Sequence, residues 1–224
     1  MRYTFTLLVV GFLTVSGTGQ AMTSAADSDP AAKRILDKLK KEYDTYKSMK
    51  IDFNLILELP GQDAETQKGM VIQQDEKYKL ELDDRAIYSD GNYVWLHVKK
   101  NNEVQINDAD MGDEENMLSP KDMLNLYESG EFVYAITAEP LLDGKKVTQI
   151  EFKPLDRDSE FSKMVLYVSK NSGEMSQMKV FSKDGGRYTL KINEILPNRQ
   201  YGPEVFRFDE SKFPGIHIED LRID

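Results

Sequence analysis

The sequence has no cysteine, two histidines and one tryptophan, and its 29 Lys+Arg are outnumbered by 39 Asp+Glu. Without cysteine there is no thiolate nucleophile, no Cys-ligated zinc or iron–sulfur cluster and no disulfide framework. Two histidines leave little room for a His-rich metal site. A net charge of −10 argues against nucleic acid, whose binding depends on neutralising phosphates with Lys and Arg. Gly-rich phosphate loops, a Gly-x-Ser-x-Gly elbow and a His-Glu-x-x-His pair are also missing. What remains is 224 residues with 40% apolar and 30% charged side chains, the composition of a globular domain large enough to bury its own core.

The N-terminus reads as an export signal. Arg2 precedes an apolar-biased run from Phe5 to Val15, and Gly19-Gln20-Ala21 suits a small-residue cleavage site, with Ala25 or Ala26 as other cut points. The run is too short to span a bilayer, and no later stretch reaches ~18 consecutive apolar residues. The expected organisation is therefore a cleaved signal peptide over 1–21, a linker over 22–28 and one domain over 29–224, exported to the periplasm. Loss of Arg2 leaves 28 basic against 39 acidic residues, or −11. No cysteine follows the apolar run, so the chain is not itself a lipoprotein anchored through an N-terminal Cys.

Asp29-Pro30 sets a capping carboxylate before a proline at the first helical position. Ile35, Leu36, Leu39, Tyr43 and Tyr46 then recur at helical spacing, which predicts an amphipathic helix ending near Met49. From Ile51 the period changes to two: Ile51, Phe53, Leu55, Leu57 and Leu59 share one face. Similar runs follow to Glu204–Phe208, punctuated by Asp90-Gly91, Asp143-Gly144, Asn171-Ser172-Gly173 and Asp184-Gly185-Gly186. The expected fold is mainly β with α: an open, incomplete antiparallel barrel of about 11–12 strands. An N-terminal helix and a short central helix, opened by Ser119-Pro120-Lys121-Asp122, would cover it.

Chemistry-bearing clusters are scarce. Chance carboxylate pairs at glycosidase spacing are inevitable, but nothing identifies one. Asp108–Ser119 departs from a calcium loop at two positions, with glycine fifth and serine twelfth, and reads as a solvated acidic loop. His97 and His217 lie far apart in sequence and read as ordinary half-buried histidines. Met164 and Met178 sit in dense apolar strands and read as core. Met111, Met117 and Met123 suit either core filling or an adaptable apolar lid.

The segment Ser89-Asp90-Gly91-Asn92-Tyr93-Val94-Trp95, with its setting, resembles the periplasmic lipoprotein carrier family, LolA. The similarity takes in the N-terminal helix, the Phe-bearing first strand, a Gly-led strand at Gly69–Gln73 and the Ser-Pro helix start. It continues through Ile150-Glu151-Phe152-Lys153-Pro154 and Leu166–Gly173, then Phe206-x-Phe208 and the closing Pro214-Gly215-Ile216-His217-Ile218-Glu219-Asp220, covering about residues 29–220. It departs where the family often carries an Arg-Pro pair whose Arg latches the lid. Here Gln73-Gln74-Asp75-Glu76-Lys77-Tyr78 has neither residue, so no latch residue is transferred.

The resemblance implies a non-enzymatic, cofactor-free, monomeric carrier that shelters the acyl chains of lipoproteins between inner and outer membranes. Its partners would be an inner-membrane lipoprotein-releasing transporter and an outer-membrane acceptor, with no nucleic acid and no stable membrane insertion. Either parity of the sheet could face inward. The candidate cavity lining is Phe53, Leu55, Leu57, Met70, Ile72, Tyr78, Leu80 and Trp95, under a lid carrying Met111, Met117, Met123, Leu124 and Tyr127. A rival of the same superfamily is an envelope-stress regulator that binds a membrane sensor protein. A periplasmic hydrolase is a third reading from another class.

Overall fold

A computed structural model of the chain describes residues 24–109 and 125–222. The expected signal segment, the Ser119-Pro120 helix start and Met111, Met117, Met123 and Leu124 lie outside the described residues. In chain order, helix α1 (Pro30–Tyr43) is followed by β1 (Ser48–Glu58), β2 (Glu65–Gln74), β3 (Lys77–Glu81), β4 (Arg85–Ser89), β5 (Tyr93–Val98) and β6 (Glu103–Asp108). Then come β7 (Phe132–Ala138), β8 (Leu141–Leu142), β9 (Lys145–Pro154), β10 (Phe161–Ser169), β11 (Met175–Ser182), β12 (Arg187–Pro197) and β13 (His217–Asp220). All belong to one 13-stranded sheet, ordered β13-β6-β5-β4-β3-β2-β1-β12-β11-β10-β9-β7 with β8 beside β9. Every pairing is antiparallel except that of β13 with β6. Bulges between Asp52 and Phe53 and within β10 add local twist, which helps curl so wide a sheet.

Helix α1 starts where the sequence places it: Asp29 Oδ1 accepts the Ala31 N–H at 2.7 Å, and Pro30 occupies the first turn. The same carboxylate accepts the Ile136 N–H at 3.2 Å, while the Asp29 N–H donates to Tyr134 O at 2.8 Å. These bonds tie the cap to β7, the last strand of the sheet, and cover an edge that would otherwise be left open. The expected linker is part of this tie. Residues 25–27 form a 3-10 turn with a capping box, and Ser28 Oγ accepts the Tyr134 N–H. Backbone N–H groups hold the Asp29 carboxyl below the usual carboxylate range.

The helix ends at Tyr43, not near Met49. Residues from Ser48 onward pair on both sides, with β2 and β12, and two ladders outweigh one more helical turn. Ala32, Leu36, Leu39 and Tyr43 are all buried and lie on the concave face of the sheet.

The convex face of β3–β6 carries a second apolar layer. The expected strand at Glu204–Phe208 is instead a 3-10 turn, Pro203–Phe206, because Pro203 fixes φ and offers no N–H to a ladder. Phe206 is fully buried on a C-terminal strap whose turn lies against β3 and β4. Phe208 stacks on Phe213 at 5.0 Å between centroids, and both present their faces or edges to His97, at 5.2 and 4.5 Å. His97 is buried and its Nδ1 has no hydrogen-bond partner.

Burial, reinforced by Lys99 and opposed by Glu81, holds His97 below the ordinary histidine value. An unfolded chain therefore takes up a proton near pH ~6.5 that the folded chain resists, so stability falls as pH drops through that value. His97→Phe keeps an aromatic ring and removes the titration. Urea denaturation between about pH 7.5 and pH 5 should show a smaller acid loss of stability in the variant. Parallel slopes would show that His97 contributes nothing to the acid response.

Candidate apolar site on the concave face

Cross-strand register fixes which side chains share the inner face, because residues directly opposite in a ladder project to the same side. One rung runs Ile51, Val71, Leu80, Ile87 and Leu96 across β1 to β5. A second runs Leu55, Leu190, Met178, Leu166, Ile150 and Ile136 across β1 and β12 to β7. Between them Phe53 lies opposite Gly69 on β2 and Ile192 on β12. An ideal Cβ at Gly69 would fall 2.2 Å from the Phe53 ring; the glycine is what lets the ring lie flat over the β2 backbone.

The centre of this face is packed. Ile51, Phe53, Leu80, Ile150, Leu166, Met178 and Leu190 are buried with α1. Around that centre is a half-buried apolar fringe, in which Leu55, Tyr78, Leu96, Val180 and Ile192 contact the core and Leu57 continues β1 toward the rim. Tyr43, the last residue of α1, is buried against the sheet. Its hydroxyl accepts the Met175 N–H at 3.4 Å, and burial pushes its ionisation far above the usual tyrosine range.

Of the expected lining residues, Phe53, Leu55, Leu57, Tyr78 and Leu80 lie together on the concave face. Met70, Ile72 and Trp95 do not: they pair with Asp52 and Glu81, with Lys50 and Lys79, and with Tyr88 and Ile106, all on the convex face. The reason is register. Met70-Val71-Ile72 is apolar at both parities, and only the pairing of Val71 with Ile51 decides which side goes inward. Val71, Ile87, Leu96 and the whole β7–β12 half of the face are additions to the expected set, although the alternation in β10 and β12 could have supplied part of them.

Tyr127, the described member of the expected lid, is buried against α1. Its hydroxyl donates to Asp37 Oδ1 at 3.1 Å, and its ring meets Tyr134 edge-on. Burial first, and then the Asp37 hydrogen bond, push its ionisation up. Tyr127 thereby fastens residues 125–130 to the helix. Among the described residues no group of three or more His, Cys, Asp or Glu is placed to hold a metal ion, and no helix is long and apolar enough to cross a membrane. A separate open depression of about 640 Å³, bordered by Lys47, Gln74, Asp75, Arg199 and Tyr201, lies at the β1–β2 rim. The concave face thus presents a packed apolar centre with a half-buried apolar rim.

The family model described as outer membrane lipoprotein carrier protein LolA matches residues 44–209. An uncharacterised protein of Methanocaldococcus jannaschii is 26% identical over 204 residues, which make up 90% of this chain. The chain spans 58% of the length of that curated relative. Among solved structures, an uncharacterised conserved protein from Thermus thermophilus has the same fold, with a TM-score of 0.55 at 12% identity over 85% of this chain and 99% of its own. A LolA superfamily protein from Nitrosomonas europaea aligns with a TM-score of 0.40 at 12% identity, over 79% of this chain and 97% of its own.

Proposed function

This chain belongs to the outer membrane lipoprotein carrier protein family, LolA, and from that premise we propose that its concave face takes up lipid acyl chains. In the fuller form of the proposal it is an exported periplasmic carrier. It receives lipoproteins from an inner-membrane transporter and delivers them to an outer-membrane acceptor, without catalysing a reaction. The observation that supports this reading is the half-buried fringe of Leu55, Leu57, Tyr78, Leu96, Val180 and Ile192 around a packed apolar centre. A fringe that is neither fully packed nor fully solvated can exchange its partners readily, whereas the centre cannot.

The energetics suit transfer. Sheltering an acyl chain from water is worth ~0.8 kcal/mol per methylene, so about 14 methylenes gain roughly 11 kcal/mol. Against a membrane interior the same chain gains almost nothing, since both environments are apolar. Loading and release then turn on small differences between donor, carrier and acceptor.

Native mass spectrometry of the purified protein should show bound acyl species, and cis-parinaric acid should bind and be displaced by fatty acid. Leu57→Asp places a carboxylate in the fringe without touching the packed centre. It should weaken the probe by at least about ten-fold, or ~1.4 kcal/mol, with an unchanged melting temperature. A protein that binds no acyl species but captures a single membrane protein through its periplasmic portion would overturn the carrier reading in favour of a regulator.

A further inference from the structure

The hairpin between β8 and β9 is unlike the rest of the surface. Asp143 and Gly144 both have positive φ, 50° and 76°, which makes the tight primed turn that a two-residue hairpin needs. Asp143 reaches across to Lys191 at 2.6 Å, and Val147 N–H donates to Pro140 O at 3.1 Å, so the hairpin is held in place at both ends. Leu141 on its first strand is 67% exposed, the most exposed large apolar side chain among the described residues. Directly across the ladder from it is Lys146, and from Leu142, Lys145.

A single exposed leucine is commonplace; its surroundings are not. The chain carries −10 overall, yet this end is basic. The backbone N–H of Lys170, in the β10–β11 turn, donates to Lys146 O at 3.0 Å, and Lys38 Nζ of α1 lies beside Gly173 of the same turn. Arg34, Lys38 and Lys41 are spaced helically along α1, while their neighbours Lys33 and Lys40 are matched by Asp37 and Asp44. Arg34, Lys38, Lys41, Lys145 and Lys146 have no ion pair among the described residues. The carboxylates of this end are Glu139, taken by Lys170 at 2.5 Å, Asp143, taken by Lys191, Glu42, which accepts the Tyr46 hydroxyl at 3.2 Å, and Glu174.

We propose that the Pro140–Lys146 hairpin, with the adjoining cationic face of α1, docks the protein on an anionic phospholipid surface. An exposed apolar side chain beside a hairpin turn, flanked by unpaired lysines, is the arrangement that inserts at the headgroup level while its charges meet lipid phosphates. The acidic remainder of the molecule is repelled by the same surface. Contact is therefore confined to one end, orients the protein and stays reversible. This goes beyond acyl uptake and does not depend on it, because the hairpin is not part of the concave face.

The test is co-sedimentation of the full chain with phosphatidylcholine vesicles and with phosphatidylcholine/phosphatidylglycerol vesicles at low and physiological salt. Binding is expected only to the anionic vesicles and should weaken as salt rises. Each lysine near such a surface is worth about five-fold in affinity, the equivalent of ~1 kcal/mol. Lys145→Glu with Lys146→Glu should therefore lose about 25-fold or more, Leu141→Ser about five-fold, and Lys100→Glu, away from the hairpin, little. All these positions are exposed, so melting temperatures should match the wild type. Equal binding to neutral vesicles, no binding to either, or full binding by the hairpin variants would each overturn the proposal. cis-Parinaric acid binding by the same variants should be unchanged, which separates failure of docking from failure of acyl uptake.

Discussion

Gly69→Ala is expected to destabilise the protein by ~3 kcal/mol or more, the upper range for forcing volume into a packed core. A glycine inside a strand is itself unfavourable by roughly 0.5–1 kcal/mol relative to alanine, so on propensity alone the substitution should help. Contact geometry reverses the sign. The new methyl would lie 2.2 and 2.3 Å from Cε2 and Cζ of Phe53 and 2.9 Å from Leu82 Cδ2. Phe53 is 1% exposed, so its ring has no free space to swing into. The clash is specific to that ring, which gives a cycle to test it. Phe53→Ala alone should cost about 3–5 kcal/mol, and the same change in a Gly69→Ala background should cost distinctly less, because it also relieves the overlap. Equal costs in both backgrounds, or a Gly69→Ala protein with an unshifted denaturation midpoint, would show that the ring is not what the glycine accommodates. Because Phe53 is part of the floor of the concave face, Gly69→Ala should also weaken acyl-probe binding at temperatures where it remains folded.

Local chemistry in the sequence announces much of this architecture. Asp29-Pro30 does cap α1, the alternation from Ile51 to Leu57 does mark the inward face of β1, and Asp143-Gly144 and Asp184-Gly185 do turn hairpins. Each of these signals is complete within a few residues. The parity of β2 is not, because Met70, Val71 and Ile72 are all apolar and only the ladder to Ile51 selects Val71. Trp95 misleads for the same reason. Its strand alternates between two apolar sets, one for α1 and one for the C-terminal strap. A sheet apolar on both sides carries no internal clue to which side is the concave one. The strap itself is equally hidden: β13 pairs in parallel with β6 across more than a hundred residues of sequence, and such pairing has no local signature. What the Ser89-Asp90-Gly91 motif does structurally is likewise out of reach of local reasoning, since the partner of Asp90 is Arg207, 117 residues away.

That partner gives the second large effect. Asp90→Ala is expected to cost ~2–4 kcal/mol and to loosen the strap, whereas Arg207→Ala should cost about 1 kcal/mol. The asymmetry follows from burial. The Asp90 side chain is 7% exposed and that of Arg207 62% exposed, so an unpaired arginine is still solvated but an unpaired hairpin is not. Asp90 Oδ1 accepts the N–H groups of Asn92 and Tyr93 at 3.0 and 3.1 Å, and Oδ2 accepts Arg207 Nε at 2.8 Å. Burial alone would raise the carboxyl, yet those two N–H groups and the guanidinium outweigh it and hold it below the usual carboxylate range. A depressed carboxylate stabilises the fold above its unfolded value and loses that contribution as pH falls through the folded value. Asp90 thus adds to the acid sensitivity of His97 on the same convex layer. Asp90→Asn keeps an acceptor for the turn but not the charge for Arg207, and should fall between the two alanine variants in chemical denaturation. Limited proteolysis reads the strap directly: cleavage within residues 199–216 should accelerate most in Asp90→Ala. Equal losses in the Asp90 and Arg207 alanine variants would mean that the ion pair, not the buried turn, is what fastens the C-terminal strap to the sheet.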